Sequence, residues 1–126
     1  MSDRCASWHS VHRPSTTGAW GRAKAFAKET GVPWAFEGYE AMLENPEVDA
    51  VYIPLPNSLH HPWTMRALAA GKHVLCEKPY TRHPAEIDEA WDAAEHAGVV
   101  LMEAYMWRHT PQAARLVELA GGRPAV

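Results

Sequence analysis

Residues 48–79, VDAVYIPLPNSLHHPWTMRALAAGKHVLCEKP, contain one whole strand–helix–strand unit. Asp49-Ala-Val-Tyr-Ile53 is a short apolar run closed by Pro54 and Pro56, the pattern of a buried strand. A helix follows from about Pro62 to Ala70, and Gly71 is placed to stop it. Lys72-His-Val-Leu-Cys76 is the next strand, ending in Glu77-Lys78-Pro79.

The same alternation continues on the C-terminal side. A helix is expected over Pro84–Ala97, with Ile87, Ala90, Trp91 and Ala94 on one face and Gly98 at its end. Val99–Ala104 reads as a third strand, and a last helix starts near Pro111 with Ala113, Leu116, Val117 and Ala120 aligned. Three helices thus open with a proline, which lacks the N–H that a first turn leaves unpaired. Towards the N-terminus, a helical turn is expected over Tyr39–Leu43 and a short strand over Val32–Phe36, weakened by Pro33. A helix from Gly21 carries Ala23, Phe26, Ala27 and Thr30 at i, i+3, i+4 and i+7, and Gly31 ends it. Residues 1–21 show no period and are expected to be irregular or disordered. Alternating strands and helices assemble as a parallel sheet with right-handed crossovers. The expected class is α/β, an incomplete Rossmann-like parallel sheet with flanking helices, over residues 22–126.

A chain of 126 residues suits one domain, and 47% hydrophobic residues suffice for a core. A net charge of −3 argues against a nucleic-acid partner, which asks for a clustered basic excess. No apolar run approaches the length of a membrane span. Cys5 and Cys76 lie far apart without a pairing pattern, so a reducing cytoplasm is the expected setting.

In parallel sheets, ligands bind at the carboxyl ends of the strands. The loops there are Pro54–His60, Glu77–Tyr80 and Tyr105–His109, and they hold most of the unusual polar residues. Lys78 stands out: an ammonium at the mouth of a sheet can bind a substrate hydroxyl and favour its alkoxide, although a solvated turn lysine looks the same in sequence. Asn57 and His60 suit a ribose or carboxamide, and Asn57 equally suits a helix cap. His60-His61 lacks the spacing of a metal site, and no metal is expected. Arg108 could meet a phosphate or substrate oxygen with Trp107 walling a pocket, or could be a surface residue with Trp107 in the core. Cys76 reads as a buried strand residue.

Residues 48–79, together with LMEAYMWRHTPQ at 101–112, resemble the nucleotide-binding domain of the glucose–fructose oxidoreductase and inositol dehydrogenase family, Gfo/Idh/MocA. The likeness is strongest to the branch with dihydrodiol and xylose dehydrogenases. It implies NAD or NADP as cofactor, a small sugar-like substrate, and hydride transfer at a hydroxyl or carbonyl. Lys78 becomes the catalytic lysine beside nicotinamide and substrate. Pro54, Leu55, Pro56, Asn57 and His60 line the nicotinamide side, Glu77 contacts the cofactor, and Lys78, Pro79 and Arg108 complete the binding set. The Lys78–Pro79 bond is open to a cis form. Self-association is left open.

Two features depart from the family. No strand with a G-x-G-x-x-G turn opens the chain, and Thr17–Gly21 has the wrong spacing. The substrate domain that supplies a His or Tyr partner for the lysine is not represented. The expectation is a fragment of such an oxidoreductase, with strand 49–53 left as an unpaired apolar edge. The other reading is a non-catalytic nucleotide-binding or interaction module derived from one.

Overall fold

A computed structural model describes residues 19–121. The order is α1 (Ala19–Thr30), α2 (Tyr39–Glu44), β1 (Ala50–Ile53), α3 (His60–Ala69), β2 (His73–Cys76), α4 (Pro84–Ala97), β3 (Leu101–Glu103) and α5 (Pro111–Leu119). Short 3₁₀ turns at Asn57–Leu59 and Met106–His109 lead into α3 and α5.

The three strands form one parallel sheet in the order β1-β2-β3. Its register aligns Val51 with Val74 and Leu101, and Ile53 with Cys76 and Glu103. Period-two alternation sends Val51, Ile53, Val74 and Cys76 to one face, where all are buried. There they join Ala67 and Leu68 of α3 and Ala90 and Ala94 of α4 in a single core. Small alanines on both helices let α3 and α4 approach each other and the sheet closely. The opposite face carries Tyr52, Leu75 and Met102 in one row, and Met102 is 37% exposed. Among the described residues, β1 pairs only with β2 and forms an edge.

Local chemistry sets the element ends. Gly71 and Gly98 follow α3 and α4 at φ 70 and 66, the left-handed region that only glycine enters cheaply. Thr110 caps α5: its hydroxyl accepts from the Ala113 N–H at 3.2 Å, and Pro111 occupies the first helical position. Tyr39 of α2 meets Trp63 of α3 edge-on at 4.7 Å, and Glu40 pairs with Arg66 at 3.1 Å, which fastens α2 to α3.

Several expectations change. Val32–Phe36 forms no strand, because Pro33 donates no ladder hydrogen bond and no neighbouring edge takes the segment up. α3 starts at His60, so Pro62 is its third residue, still within the turn that tolerates a missing N–H. α1 starts at Ala19, so residues 19–21 are helical; the irregular reading of residues 1–18 falls outside the described residues. The apolar stripes of the outer helices are only partly covered. Phe26 is 42% exposed and Leu116 53%, while Ala113 is the buried anchor of α5.

Candidate active site

The loops that follow the three strands meet at one end of the sheet, and the segment Glu77–Tyr80 lies between the other two. β2 is the middle strand, so its following loop has a neighbour on each side. Hydrogen bonds from β1, α3 and β3 hold this segment. The Tyr52 hydroxyl, from β1, donates to Glu77 Oε1 at 2.5 Å. The Lys78 backbone N–H donates to Glu77 Oε2 at 3.1 Å. The Tyr80 N–H donates to Glu103 Oε1, from β3, at 2.8 Å. His60 Nδ1, from α3, lies 2.9 Å from the Pro79 carbonyl oxygen. The Lys78–Pro79 peptide bond is cis.

With its backbone held from three elements, the segment leaves Lys78 exposed at its tip. Among the described residues the Lys78 ammonium forms no ion pair, and neither does the Arg108 guanidinium. Arg108 is exposed in the 3₁₀ turn Met106–His109. Trp107 is 46% exposed, which excludes the reading that buries it in the core. Two unpaired cations on neighbouring loops leave this end of the sheet suited to a ligand with anionic or hydroxyl oxygens.

The electrostatics follow from the Tyr52–Glu77 contact. The hydroxyl hydrogen bond is the main reason the Glu77 carboxyl sits below its ordinary value, with the Lys78 N–H and ammonium adding to it. The same contact, with some burial and the nearby carboxylate charge, pushes the Tyr52 phenol up to about 12. Glu77 is thus held as a carboxylate with both oxygens already engaged.

The loop after β1 differs from its sequence reading. Asn57 is exposed in the 3₁₀ turn and its side chain caps no helix. His60 is 1% exposed, and its Nε2 lies 2.7 Å from the Leu55 carbonyl oxygen while Nδ1 faces Pro79. Neither ring nitrogen is left for a ribose or carboxamide, so His60 supports the loop from beneath. Pro54, Leu55 and Pro56 lie between β1 and that turn, with Pro54 and Pro56 exposed at the surface.

Tyr52 and Glu103 were missed in sequence. A signal existed: Glu103 is a carboxylate at the carboxyl end of an otherwise apolar strand, aligned with Cys76 of β2. Tyr80 was also passed over as a structural residue. It is 3% exposed, its hydroxyl meets His61 Nδ1 at 3.0 Å, and its ring packs edge-on against Trp91 at 5.5 Å. Burial raises its phenol well above the ordinary value. His61 Nε2 reaches Glu89 at 3.2 Å, so the two adjacent histidines diverge. Thr64 Oγ1 is fully buried beside Cys76 and Tyr80, at no geometry that makes a hydrogen bond. Cys76 is fully buried, and burial pushes its thiol up to about 11.

A parallel sheet with its polar loops gathered at the carboxyl ends defines part of a nucleotide-binding α/β domain of Rossmann type. The chain belongs to the Gfo/Idh/MocA oxidoreductase family, whose NAD-binding Rossmann-fold model matches residues 16–105. It is 51% identical over 98 residues to a D-xylose 1-dehydrogenase (NADP(+)) from Haloferax volcanii, covering 78% of this chain and 30% of that protein. It is 53% identical over 88 residues to a dTDP-3,4-didehydro-2,6-dideoxy-alpha-D-glucose 3-reductase from Streptomyces violaceoruber, covering 70% of this chain and 25% of that protein. The fold matches KijD10, a 3-ketoreductase from Actinomadura kijaniata in complex with TDP-benzene and NADP, with a TM-score of 0.72 and 44% identity. That match covers 81% of this chain and 32% of the reductase. The chain therefore spans about a third or less of the length of these relatives.

Proposed function

We propose that this chain is the nicotinamide-side part of an NAD(P)-dependent oxidoreductase that acts on a sugar, polyol or related hydroxyl or carbonyl. One observation carries the reading: Lys78 is presented, with no ion pair among the described residues, on a segment held by Tyr52 through the Glu77 side chain and by His60 and Glu103 through its backbone. Such restraint has a chemical purpose, since a hydrogen-bond donor must hold a fixed distance to the reacting oxygen.

The described residues fit a dinucleotide at one end. In this reading Pro54, Leu55, Pro56 and Asn57 form a proline-stiffened wall, and Glu77, Pro79 and Arg108 complete the binding set with Lys78. The phosphate cradle is not among the described residues: no strand precedes α1 there, and Gly21 lies within that helix. A bound nicotinamide supplies the hydride acceptor or donor. Lys78 donates a hydrogen bond to the substrate oxygen and stabilises the negative charge that develops on it. Arg108 contributes a second positive charge at the mouth of the site. Glu77, tied to Tyr52, keeps the lysine backbone in place and balances its charge. Relatives whose names specify a xylose or a nucleotide-linked deoxysugar support a sugar-like substrate for this chain.

The test is a titration of the chain with NADPH and NADH, followed by quenching of its six tryptophans. Saturable binding, weakened about tenfold or more in Lys78→Ala, is expected. Absence of binding by a folded, monomeric sample would refute the proposal. Binding that persists with no turnover of any sugar or polyol would favour a non-catalytic nucleotide-binding module.

A further inference from the structure

His60 sits in the first turn of α3 and faces two loops at once. The strand ladder between β1 and β2 ends where the Glu77 N–H donates to the Ile53 carbonyl at 3.1 Å. Past that point the His60 ring joins the two chains, with Nε2 2.7 Å from the Leu55 oxygen and Nδ1 2.9 Å from the Pro79 oxygen. A carbonyl only accepts, so each contact is a hydrogen bond only while that ring nitrogen carries hydrogen. A neutral imidazole donates to one of them, and an imidazolium donates to both. At 1% exposure, water does not replace either partner.

We infer that His60 is a positioning residue: by donating from both ring nitrogens, it fixes the spacing between the Pro54–Asn57 loop and Lys78. The inference rests on the dinucleotide site proposed above and goes beyond it. It assigns to one buried side chain the width of the cleft between the wall and the lysine. Leu55 and Pro79 each offer one carbonyl oxygen to the ring, so loss of either contact releases one side of the cleft. An apolar side chain of similar size would fill the same volume without tying the two loops.

The test uses His60→Ala in the full chain, with NADPH as probe and tryptophan quenching as readout. Affinity is expected to fall about tenfold or more. Added imidazole, which as imidazolium donates from both nitrogens, is expected to restore much of it. Added 1-methylimidazole, which has one nitrogen blocked, is expected to fail. Lys72→Met is the control for loss of stability alone, since Lys72 is buried and its ammonium binds the Asn45 carbonyl at 2.9 Å, before β2 begins. It should lower the melting temperature and leave NADPH affinity intact. Wild-type affinity in His60→Ala, or equal rescue by both imidazoles, overturns the inference. If His60→Ala does not fold, His60→Gln, which keeps one donor group, is expected to bind with intermediate affinity, and wild-type affinity there overturns it. If the unsubstituted chain binds no dinucleotide, the functional proposal fails separately. Ring ¹⁵N spectra then decide the clamp: hydrogen on both nitrogens supports it, and one bare nitrogen overturns it.

Discussion

Replacing Tyr52 with Phe removes one oxygen and keeps the ring. The lost hydroxyl donates to a carboxylate at 2.5 Å, and both residues are partly buried. A hydrogen bond to a charged group contributes about 1.5–3 kcal/mol, and partial solvation puts this one near the low end, about 1.5 kcal/mol. For a domain of this size that is a fall of roughly 6–12 °C in melting temperature. The loss also depends on pH, with a definite sign. Tyr52 holds the Glu77 carboxyl below its ordinary value, so the folded chain binds fewer protons there than the unfolded chain. The resulting stability is present above the ordinary glutamate value of about 4.3 and disappears as pH falls through the lower folded value. Urea melts of wild type and Tyr52→Phe should therefore differ most near neutral pH and converge in acid, as pH falls below the ordinary glutamate value. An equal gap at both pH values, or no gap at neutral pH, would refute the assignment of Glu77 as a carboxylate held by this hydroxyl.

Alkali offers an independent check: the Tyr52 phenol is pushed up to about 12, so the folded chain retains its proton longer than the unfolded chain. Its contribution to stability should be complete below the ordinary tyrosine value of about 10 and be lost as pH rises from there to about 12, read by phenolate absorbance and far-ultraviolet dichroism together. Leu68→Ala removes a side chain 2% exposed at the centre of the core, and urea melts should show a loss of about 2–5 kcal/mol; a loss within error would mean that α3 is not seated on the sheet. Cys76 is fully buried with its thiol up at about 11, so in a Cys5→Ser background a small thiol reagent should label it only after unfolding. Rapid labelling of the native chain would contradict that packing.

The sequence carried the elements whose signals are local. Pro84, the spacing of Ala90 and Ala94, and Gly98 specify α4 within fourteen residues of chain, and the helix forms over the expected span, Pro84–Ala97. The apolar runs before Pro54 and Glu77 are strands for the same reason. Val32–Phe36 failed because a strand needs a partner edge, and no local pattern reports whether one is within reach.

The site divides along the same line. The proposal for Lys78 starts from the sequence, because its neighbours Glu77 and Pro79 make a recognisable motif at the end of a strand. What holds Lys78 in place is not legible there. Tyr52, His60 and Glu103 lie on separate elements, and register together with the docking of α3 brings them to the segment 77–80. A shift of one residue in β3 would move Glu103 to the opposite face and take its carboxylate away from the Tyr80 N–H. His60 shows the limit most clearly. Its sequence context, two residues beyond a polar turn, suits a ligand contact, and burial under two loops instead commits both ring nitrogens to the backbone. Residue type and local spacing determine where helices and candidate strands lie and which side chains suit the proposed chemistry. Tertiary packing alone decides which of the remaining polar groups face a ligand and which hold the frame, because that choice depends on partners distant in the chain.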